Sequence, residues 1–362
     1  AGPMSDDRSW LTDEYPELRD GPPWVMEEMI LEERDLPVGI LGGAGPETAD
    51  VKAAIRDAAV QGAPIVVTGC GTSEHGAMAI AELIGDAFPD ARVEAREALD
   101  AAVHPRKGGL CIGISHDGGT RATRLALEAA RGAGAATAVI TAHPATSVPS
   151  VSDHVVVTPL ADRSWCHTVA YVSAIVAGAG IAGSPATAAR LAGAIDAVVA
   201  LRPMFVAAAR RIHDGRRIVT TGLGADFVTA RELALKIEEG ARIPANAHRL
   251  ETVLHGHLAG CDADRTAVVR FAIDARGGAL QAERGADIDA ALAVIGIPTV
   301  VIGQEMGIAP AESVAEALVA GALALQLLTL ELAHAAGTNP DLIRREQRPY
   351  REAAAAAERA DG

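Results

Sequence analysis

The sequence predicts an α/β protein of doubly wound, mainly parallel sheets flanked by helices. Short apolar runs that begin at Pro64 and Gly109 predict strands buried on both faces, as parallel sheets require. Both runs end in a Gly- and Thr-containing turn that opens a helix. Aromatic residues make up only 3% of the chain, and Gly and Ala are abundant, which favours close packing of helices on sheets. We therefore expect three layers, helix, sheet and helix.

The predicted elements alternate along the chain. Strands, with their turns where these belong to the pattern, are predicted at 64–73, 92–95, 109–115, 136–141, 154–158, 217–226, 266–273 and 298–302. Helices are predicted at 47–61, 76–88, 120–133 and 311–336, at least twice between 169 and 211, and near the C-terminus. Because 217–226 repeats the strand and glycine turn of 64–73, the two halves look like duplicated units.

The domain organisation follows from the length and this repeat. At roughly 150 residues per domain, 362 residues predict about two domains. We expect an N-terminal leader at 1–44, a first α/β domain at 45–205, a second at 206–336 and a C-terminal tail at 337–362 that completes the site.

Composition excludes several classes of protein. The net charge of −15 repels a phosphate backbone, so nucleic acid is not expected as a partner. The apolar run 314–332 is interrupted by Glu316, Gln326 and Glu331, so we expect no spanning helix and no membrane partner. Residues 1–7 lack the features of an export signal, which favours a cytoplasmic location. Four scattered cysteines have no zinc-site spacing, so we expect reduced thiols and no metal.

Two glycine turns are candidate ligand sites. Each follows a predicted strand, opens a helix and carries hydroxyl groups, at 68–73 and at 115–120. Backbone N–H groups at a helix N-terminus can bind an anion or a polyol. One such turn is ordinary helix capping, whereas two in one domain favour a binding function.

A second group of candidates lies between 231 and 257. On a helix Glu232, Lys236 and Glu239 share one face, so a carboxylate and an ammonium could face a cleft. A solvated face with an exposed ion pair explains the same spacing and is favoured by spacing alone. The His255-Gly-His257 turn is likewise compatible with a surface loop.

Taken in order, these motifs resemble the sugar isomerase (SIS) domain. The first copy is carried by Gly69-Cys-Gly-Thr-Ser73 and by the segment 114–133, and the second by 222–226, 232–239 and 254–258. The tandem pair resembles the isomerase half of glutamine–fructose-6-phosphate aminotransferases and the related sugar-phosphate deaminases and deglycases. The resemblance covers 24–348, nearly the whole chain.

The resemblance implies roles for individual residues. Glu239 is the expected base that moves a proton between C1 and C2 of an open-chain sugar, with Lys236 beside it. His255 is expected to open the sugar ring from a neighbouring subunit, so a homodimer is implied. No metal or organic cofactor is implied. The sugar and its phosphate would be bound by Cys70, Gly71, Thr72, Ser73, Ser115, His116, Asp117 and Thr120.

The chain departs from the family pattern at three positions. Asp117 stands where a hydroxyl normally contacts the phosphate, and a carboxylate about 4 Å from a phosphate costs at least ~1 kcal/mol. Either Asp117 points away, or a protonated His116 pairs with it, or the ligand carries no phosphate. The proline of the family's HGP turn is replaced by His257. The lysine expected near the C-terminus falls on Arg348, which can polarise an oxygen but cannot form a Schiff base.

The expected function is therefore a sugar isomerase or deaminase acting on a hexose or amino-sugar derivative, most simply a phosphate. We expect no glutaminase domain ahead of the first SIS unit, and so do not expect glutamine as a direct nitrogen donor. Two alternatives stay open. One is a non-catalytic sugar-binding regulator, since a fold does not dictate function. The other is a SIS enzyme that acts on an unphosphorylated sugar-like metabolite.

Overall fold

The computed structural model describes residues 10–13, 15–43, 45–214 and 217–359. Within these residues nine strands form two parallel sheets, which helices flank. The predicted fold class is therefore confirmed. The expectation that 1–7 carries no export signal lies outside the described residues.

The first sheet contains five strands in the order β2-β1-β3-β4-β5. They are β1 (Pro64–Gly69), β2 (Arg92–Glu97), β3 (Leu110–Ile114), β4 (Ala136–Thr141) and β5 (His154–Val157). Strands β1 and β3 pair from Ile65↔Leu110 to Thr68↔Gly113, so the turns that follow them meet at one edge of the sheet. In a doubly wound sheet this carboxyl edge is where ligands bind.

The second sheet contains four strands in the order β7-β6-β8-β9. They are β6 (Arg217–Gly222), β7 (Ala245–Arg249), β8 (Thr266–Ala272) and β9 (Thr299–Gly303). This order repeats that of the first four strands of the first sheet, as the predicted duplication requires. Strand β7 was not predicted from the sequence because its residues, Ala-Asn-Ala-His-Arg, form no apolar run.

The helices cover the sheets and fill the space between them. They are α1 (Val25–Glu32), α2 (Leu36–Gly42), α3 (Pro46–Val60), α4 (Thr72–Ala87), α5 (Ala98–Val103), α6 (Arg121–Gly132), α7 (Val169–Ala182), α8 (Ala188–Val199), α9 (Arg202–Ile212), α10 (Ala225–Lys236), α11 (Leu250–Leu254), α12 (Gly278–Ile295), α13 (Val314–Ala336) and α14 (Arg348–Arg359). A π-helical turn, Ile237–Ala241, continues α10.

The two halves share the geometry of their first glycine turn. Gly71 caps α4 with φ 56° and ψ −124°, and Gly224 caps α10 with φ 55° and ψ −126°. A positive φ of this kind favours glycine. Helices α4 and α10 pack against each other, so the duplicated units meet through equivalent helices.

Helix α13 forms the centre of the core. It packs against α10, α8 and α9, and also against α7 of the first half. By length and composition alone α13 could cross a membrane, and so could the bent pair α8 and α9, but the apolar window of α13 is wholly buried inside the protein. A core helix passes the same test of length and hydropathy.

The leader and the tail are tied together. The Asp341 carboxylate accepts hydrogen bonds from the N–H groups of Val25 and Met26, at 2.9 and 2.8 Å, and so caps α1. The Asp341 carbonyl accepts a further bond from the N–H of Trp165 at 2.9 Å. The tail therefore closes over the first half.

Candidate functional site

The first glycine turn lies at the carboxyl end of β1. Cys70 is half-buried, and its Sγ lies 3.7 Å from Oε1 of Glu97, at the end of β2. Burial and the Glu97 charge raise the pKa of the Cys70 thiol to about 11, so the thiol is protonated at neutral pH. Thr72 and Ser73 form the first turn of α4, which begins four residues earlier than the sequence predicted.

The second glycine turn, between β3 and α6, lies beside the first. Ser115 is buried, and its Oγ donates to Oγ1 of Thr120 at 3.1 Å. Gly118 has φ +66°, and a Cβ there would stand 1.9 Å from Oγ1 of Thr146, so the turn requires glycine. Asp117 and Thr120 are exposed. The pair Ser115 and Thr120 can present hydroxyl groups to a ligand.

His116 is buried, and its charge state follows from its contacts. Its Nε2 accepts a hydrogen bond of 2.8 Å from the N–H of Asp162, so this nitrogen carries no proton. Burial lowers the pKa of His116, which agrees with a neutral ring. The geometry therefore speaks against a protonated His116 paired with Asp117, one of the three explanations considered for the phosphate turn.

Three charged side chains, those of Glu232, Lys236 and Glu239, lie together at the end of α10. We call this group the charged chain. Nζ of Lys236 lies 2.6 Å from Oε2 of Glu239 and 3.5 Å from Oε1 of Glu232. The side chains of Lys236 and Glu232 are 1% and 0% exposed, and that of Glu239 is 22% exposed. The explanation by a solvated face with an exposed ion pair is therefore wrong. The spacing brings all three groups together, with Glu239 nearest to solvent.

The pKa values of Lys236 and Glu232 are set by burial and by the charges around them. Burial lowers the pKa of Lys236, but Glu239 and Glu232 outweigh it and raise that pKa above its ordinary value. Burial alone raises the pKa of Glu232, whereas Lys236 and the hydrogen bond from His75 lower it overall. Lys236 and Glu232 are thus both ionised in the protein interior.

The charged chain touches the first glycine turn. The Thr72 side chain lies near the Glu232 carboxylate and helps to lower the pKa of Glu232. A Cβ added to Gly71 would stand 3.8 Å from Cδ2 of Leu235. The predicted sugar-binding turn and the predicted catalytic helix are therefore neighbours across the junction of the two halves.

Glu239 stands on the π-helical turn that ends α10. Such turns are rare and frequently occur at functional sites. The carbonyl of Gly240 accepts a hydrogen bond of 2.7 Å from Oγ1 of Thr338, so the C-terminal tail packs on this turn. A Cβ on Gly240 would lie 2.9 Å from Cγ2 of Thr329 on α13, which keeps the turn close to the core helix.

Sequence reasoning missed His75. Its Nδ1 donates to Oε2 of Glu232 at 2.6 Å, and its side chain is only 7% exposed. The partners are 157 residues apart, so no local pattern pairs them. The only indication in the sequence is that His75 lies one helical turn after Gly71. Its contact with α10 becomes visible only in the folded protein.

A loop between β5 and α7 also reaches the charged chain. The Asp162 carboxylate accepts from the N–H groups of Ser164, Thr168 and Ala170 at 3.3, 2.7 and 3.2 Å, which fixes the loop. Cys166 in this loop is fully buried, and burial raises its pKa well above the ordinary value, beside the charge of Lys236. No sequence motif had singled out this loop.

His255 lies apart from the charged chain. It follows α11, its side chain is 73% exposed, and its Nε2 lies 2.9 Å from Oε1 of Glu251 on the same helix. Gly256 after it has φ +116°, and the ring of His257 stacks on that of His248 at 3.6 Å. The turn without proline thus stacks His257 on His248 of β7.

Arg348 also lies apart from the charged chain. It begins α14 with its side chain 80% exposed, and its Nε lies 2.6 Å from Oε1 of Glu352. The tail reaches the site instead through Thr338. A role for Arg348 beside the sugar carbonyl stays a prediction that this placement does not support.

One group of side chains has the spacing of a metal site within the described ranges. Glu47, Asp50 and His154 bring one ligand atom each within 4.8 Å of one another, but both carboxylates are exposed. Such groups are common on surfaces, and none of these residues belongs to the charged chain. A cleft of about 700 Å³ lies between α4 and α10, with Glu74, Glu82, Arg231, Arg249 and Arg276 in its lining.

Comparison with protein families finds one match, within the first half of the chain. Residues 60–179 match the SIS domain. This range contains both glycine turns and His75. The match does not extend to the second half, so a second SIS domain rests on the repeated strand order. Among curated protein sequences no relative matches the chain.

Solved structures share the fold over nearly the whole chain. The C-terminal domain of glucosamine-fructose-6-phosphate aminotransferase from Francisella tularensis is 18% identical, with a TM-score of 0.76 over 90% of this chain and 99% of that one. Tagatose-6-phosphate ketose/aldose isomerase from Escherichia coli is 18% identical, with a TM-score of 0.75 over 90% and 98%. Glucosamine-6-phosphate deaminase from Thermotoga maritima is 18% identical, with a TM-score of 0.67 over 86% and 96%. At this identity the likeness establishes the fold.

Proposed function

We propose that this chain, whose residues 60–179 match the SIS domain, is a sugar isomerase or amino-sugar deaminase that moves a proton between C1 and C2 of an open-chain sugar. The observation that carries the proposal is the ion pair of 2.6 Å between Lys236 and Glu239, beside the glycine turn. A base needs a fixed position within reach of the C–H group and partial exposure to the substrate. Glu239 has both.

In this proposal Glu239 takes a proton from the carbon next to the carbonyl group and returns it to the neighbouring carbon. The residues of the first glycine turn bind the sugar hydroxyl groups. Ser115 and Thr120 bind the end of the sugar opposite its carbonyl group. In the favoured case this end carries a phosphate. The names of the similar structures, an aminotransferase, an isomerase and a deaminase of hexose 6-phosphates, support this class of substrate.

His255 is proposed to open the sugar ring at the site of a second copy of the chain. Its side chain is 73% exposed, which leaves it accessible to another copy. Within one chain no described contact joins it to Glu239. The proposal therefore includes a homodimer in which each site combines residues of both copies.

An unphosphorylated sugar is the second candidate substrate, and Asp117 favours it. This carboxylate is exposed on the turn where a phosphate is expected, and the neighbouring ring of His116 accepts a hydrogen bond and so brings no positive charge. A non-catalytic regulator is less favoured, because a sensor does not need a buried lysine that holds a partly exposed carboxylate in a fixed position.

The proposal is tested by following turnover with ¹H NMR. Wild-type protein is incubated with aldohexoses, ketohexoses and hexosamines, each with and without a 6-phosphate. We expect conversion of at least one compound by aldose–ketose exchange or by loss of ammonia. Ligand-induced thermal stabilisation without conversion of any compound would favour the regulator instead.

A further inference from the structure

The charged chain holds one cation between two carboxylates. Lys236 is fully buried, with Glu239 at 2.6 Å on one side and Glu232 at 3.5 Å on the other. Glu239 is partly exposed and Glu232 is not exposed at all. Only Glu239 is therefore placed to meet a ligand, and the second carboxylate has no evident use in binding one.

Proton transfer explains why a second carboxylate is useful. When Glu239 takes a proton from the sugar, it loses the negative charge that balances Lys236. A buried ammonium without a counter-charge is strongly unfavourable. A carboxylate that never exchanges protons with the substrate removes this penalty, because Lys236 stays balanced in both states of Glu239.

The contacts of Glu232 fit this use. Its Oε2 accepts the 2.6 Å hydrogen bond from His75. Its Oε1 has no hydrogen-bond partner within the described part of the chain and faces Lys236. His75 is on α4 and Glu232 on α10, so this pair forms only when the two halves are packed together.

We propose that Glu232 is the permanent counter-ion of Lys236, and that His75 positions it, so that Glu239 can lose and regain its charge during proton transfer. The proposal rests on the proposed function of Glu239. Glu232 and His75 are positioning residues in it, since neither reaches the substrate.

The first test is thermal unfolding and does not depend on activity. Glu232→Gln and Glu239→Gln each leave Lys236 with one carboxylate, whereas the double variant leaves it with none. We expect the Tm loss of the double variant to exceed the sum of the two single losses. Adding Lys236→Met to the double variant should restore much of that loss. Additive losses without restoration by Lys236→Met would overturn the proposal.

The second test is the pH profile of turnover. In Glu232→Gln we expect kcat to fall at least about 10-fold with little change in KM. We also expect the acid limb of the profile to move to lower pH, because the positive charge of Lys236 then acts on Glu239 alone. A purely structural role would lower Tm and leave the acid limb in place, which would contradict the proposal.

His75 is tested with a matched pair of variants. His75→Asn keeps a donor near the position of Nδ1, whereas His75→Leu removes it. We expect His75→Leu to reproduce the lower kcat and the shifted acid limb, and His75→Asn to restore most of the wild-type behaviour. Equal behaviour of the two variants would show that the hydrogen bond does not matter. If wild type converts no sugar, the proposed function fails, while the unfolding test still decides the counter-ion role.

Discussion

Nδ1 of His75, on a helix of the first half, donates a hydrogen bond of 2.6 Å to the Glu232 carboxylate, on a helix of the second half. Through Glu232 this contact reaches Lys236 and then Glu239. The charged chain thus crosses the junction of the two halves, and its geometry depends on how α4 and α10 pack.

Lys236→Met should destabilise the protein strongly. The change leaves Glu232 fully buried without its cation, and such a loss typically costs about 3–5 kcal/mol. Urea unfolding measures it. Lys107→Met is the matched control, because Lys107 is exposed and its loss should change the free energy of unfolding by less than about 0.5 kcal/mol. A similar small effect for Lys236→Met would contradict the described burial of the ammonium.

Asp226 should make the protein less stable as pH rises. Burial raises its pKa from 3.8 to about 7, although the N–H groups of Ile273 and Asp274 partly offset the effect. Between pH about 4 and about 7 the unfolded carboxyl has lost its proton while the folded one still holds it. Folding therefore loses stability across this window, by as much as about 4 kcal/mol.

Asp226→Asn removes this titration. As pH rises from 4 to 7, the free energy of unfolding of wild type should fall relative to that of the variant. Below and above this range the difference between the two proteins should be constant. Urea unfolding at several pH values measures the difference. A difference independent of pH would show that the Asp226 carboxyl is not held in an apolar environment.

Asp117 should decide between phosphorylated and free sugars. A thermal-shift comparison of wild type with Asp117→Ser, using hexoses and their 6-phosphates, measures the preference. If Asp117 tolerates a phosphate, the 6-phosphates stabilise both proteins. If 6-phosphates stabilise only the serine variant and free sugars stabilise wild type, the natural ligand carries no phosphate.

The hydroxyl groups of the same turn provide a control. Thr120→Val removes the exposed hydroxyl that pairs with Ser115 and should weaken stabilisation by a 6-phosphate more than stabilisation by the free sugar. Equal weakening of both ligands would place the phosphate elsewhere.

His255 should act in the site of a second copy. Glu239→Gln and His255→Ala are each expected to be inactive, but a dimer that contains one copy of each would have one intact site. When equal amounts are refolded together, half of the dimers are mixed. About a quarter of wild-type turnover should therefore be recovered. Light scattering measures the dimer in parallel. A monomer with full activity, or a mixture as inactive as its parts, would exclude the shared site.

Among the described residues the sequence predicted every strand except β7, including the edge strands β2, β5 and β9. The apolar runs of β1, β3 and β4 require burial on both faces, which a single sequence reveals. Strand β7 is an edge strand with polar residues, and its pairing with β6 is set by tertiary packing. The N-terminal half of α10 was likewise not predicted. The helix begins directly after Gly224, and the positive φ of this glycine is not visible in the sequence.

The site was predicted in its parts but not in its arrangement. The spacing of Glu232, Lys236 and Glu239 places them on one helix face, yet the same spacing describes a solvated face. Burial by α4, α13 and the loop that carries Cys166 decides between the two, and such long-range packing is not visible in local sequence. His75 was missed for the same reason. The positions of His255 and Arg348 were inferred from resemblance, and neither joins the charged chain within one copy.

The central claim is that Glu239 transfers the proton, and solvent deuterium incorporation tests it most directly. In D₂O, wild type should introduce deuterium at C1 or C2 of its sugar, and Glu239→Gln should do so 10²–10⁴-fold more slowly, on the order expected for loss of a general base. Glu238→Gln is the matched control, since Glu238 is the exposed neighbour of Glu239 and should retain wild-type exchange. Wild-type exchange in a folded Glu239→Gln protein would contradict the account.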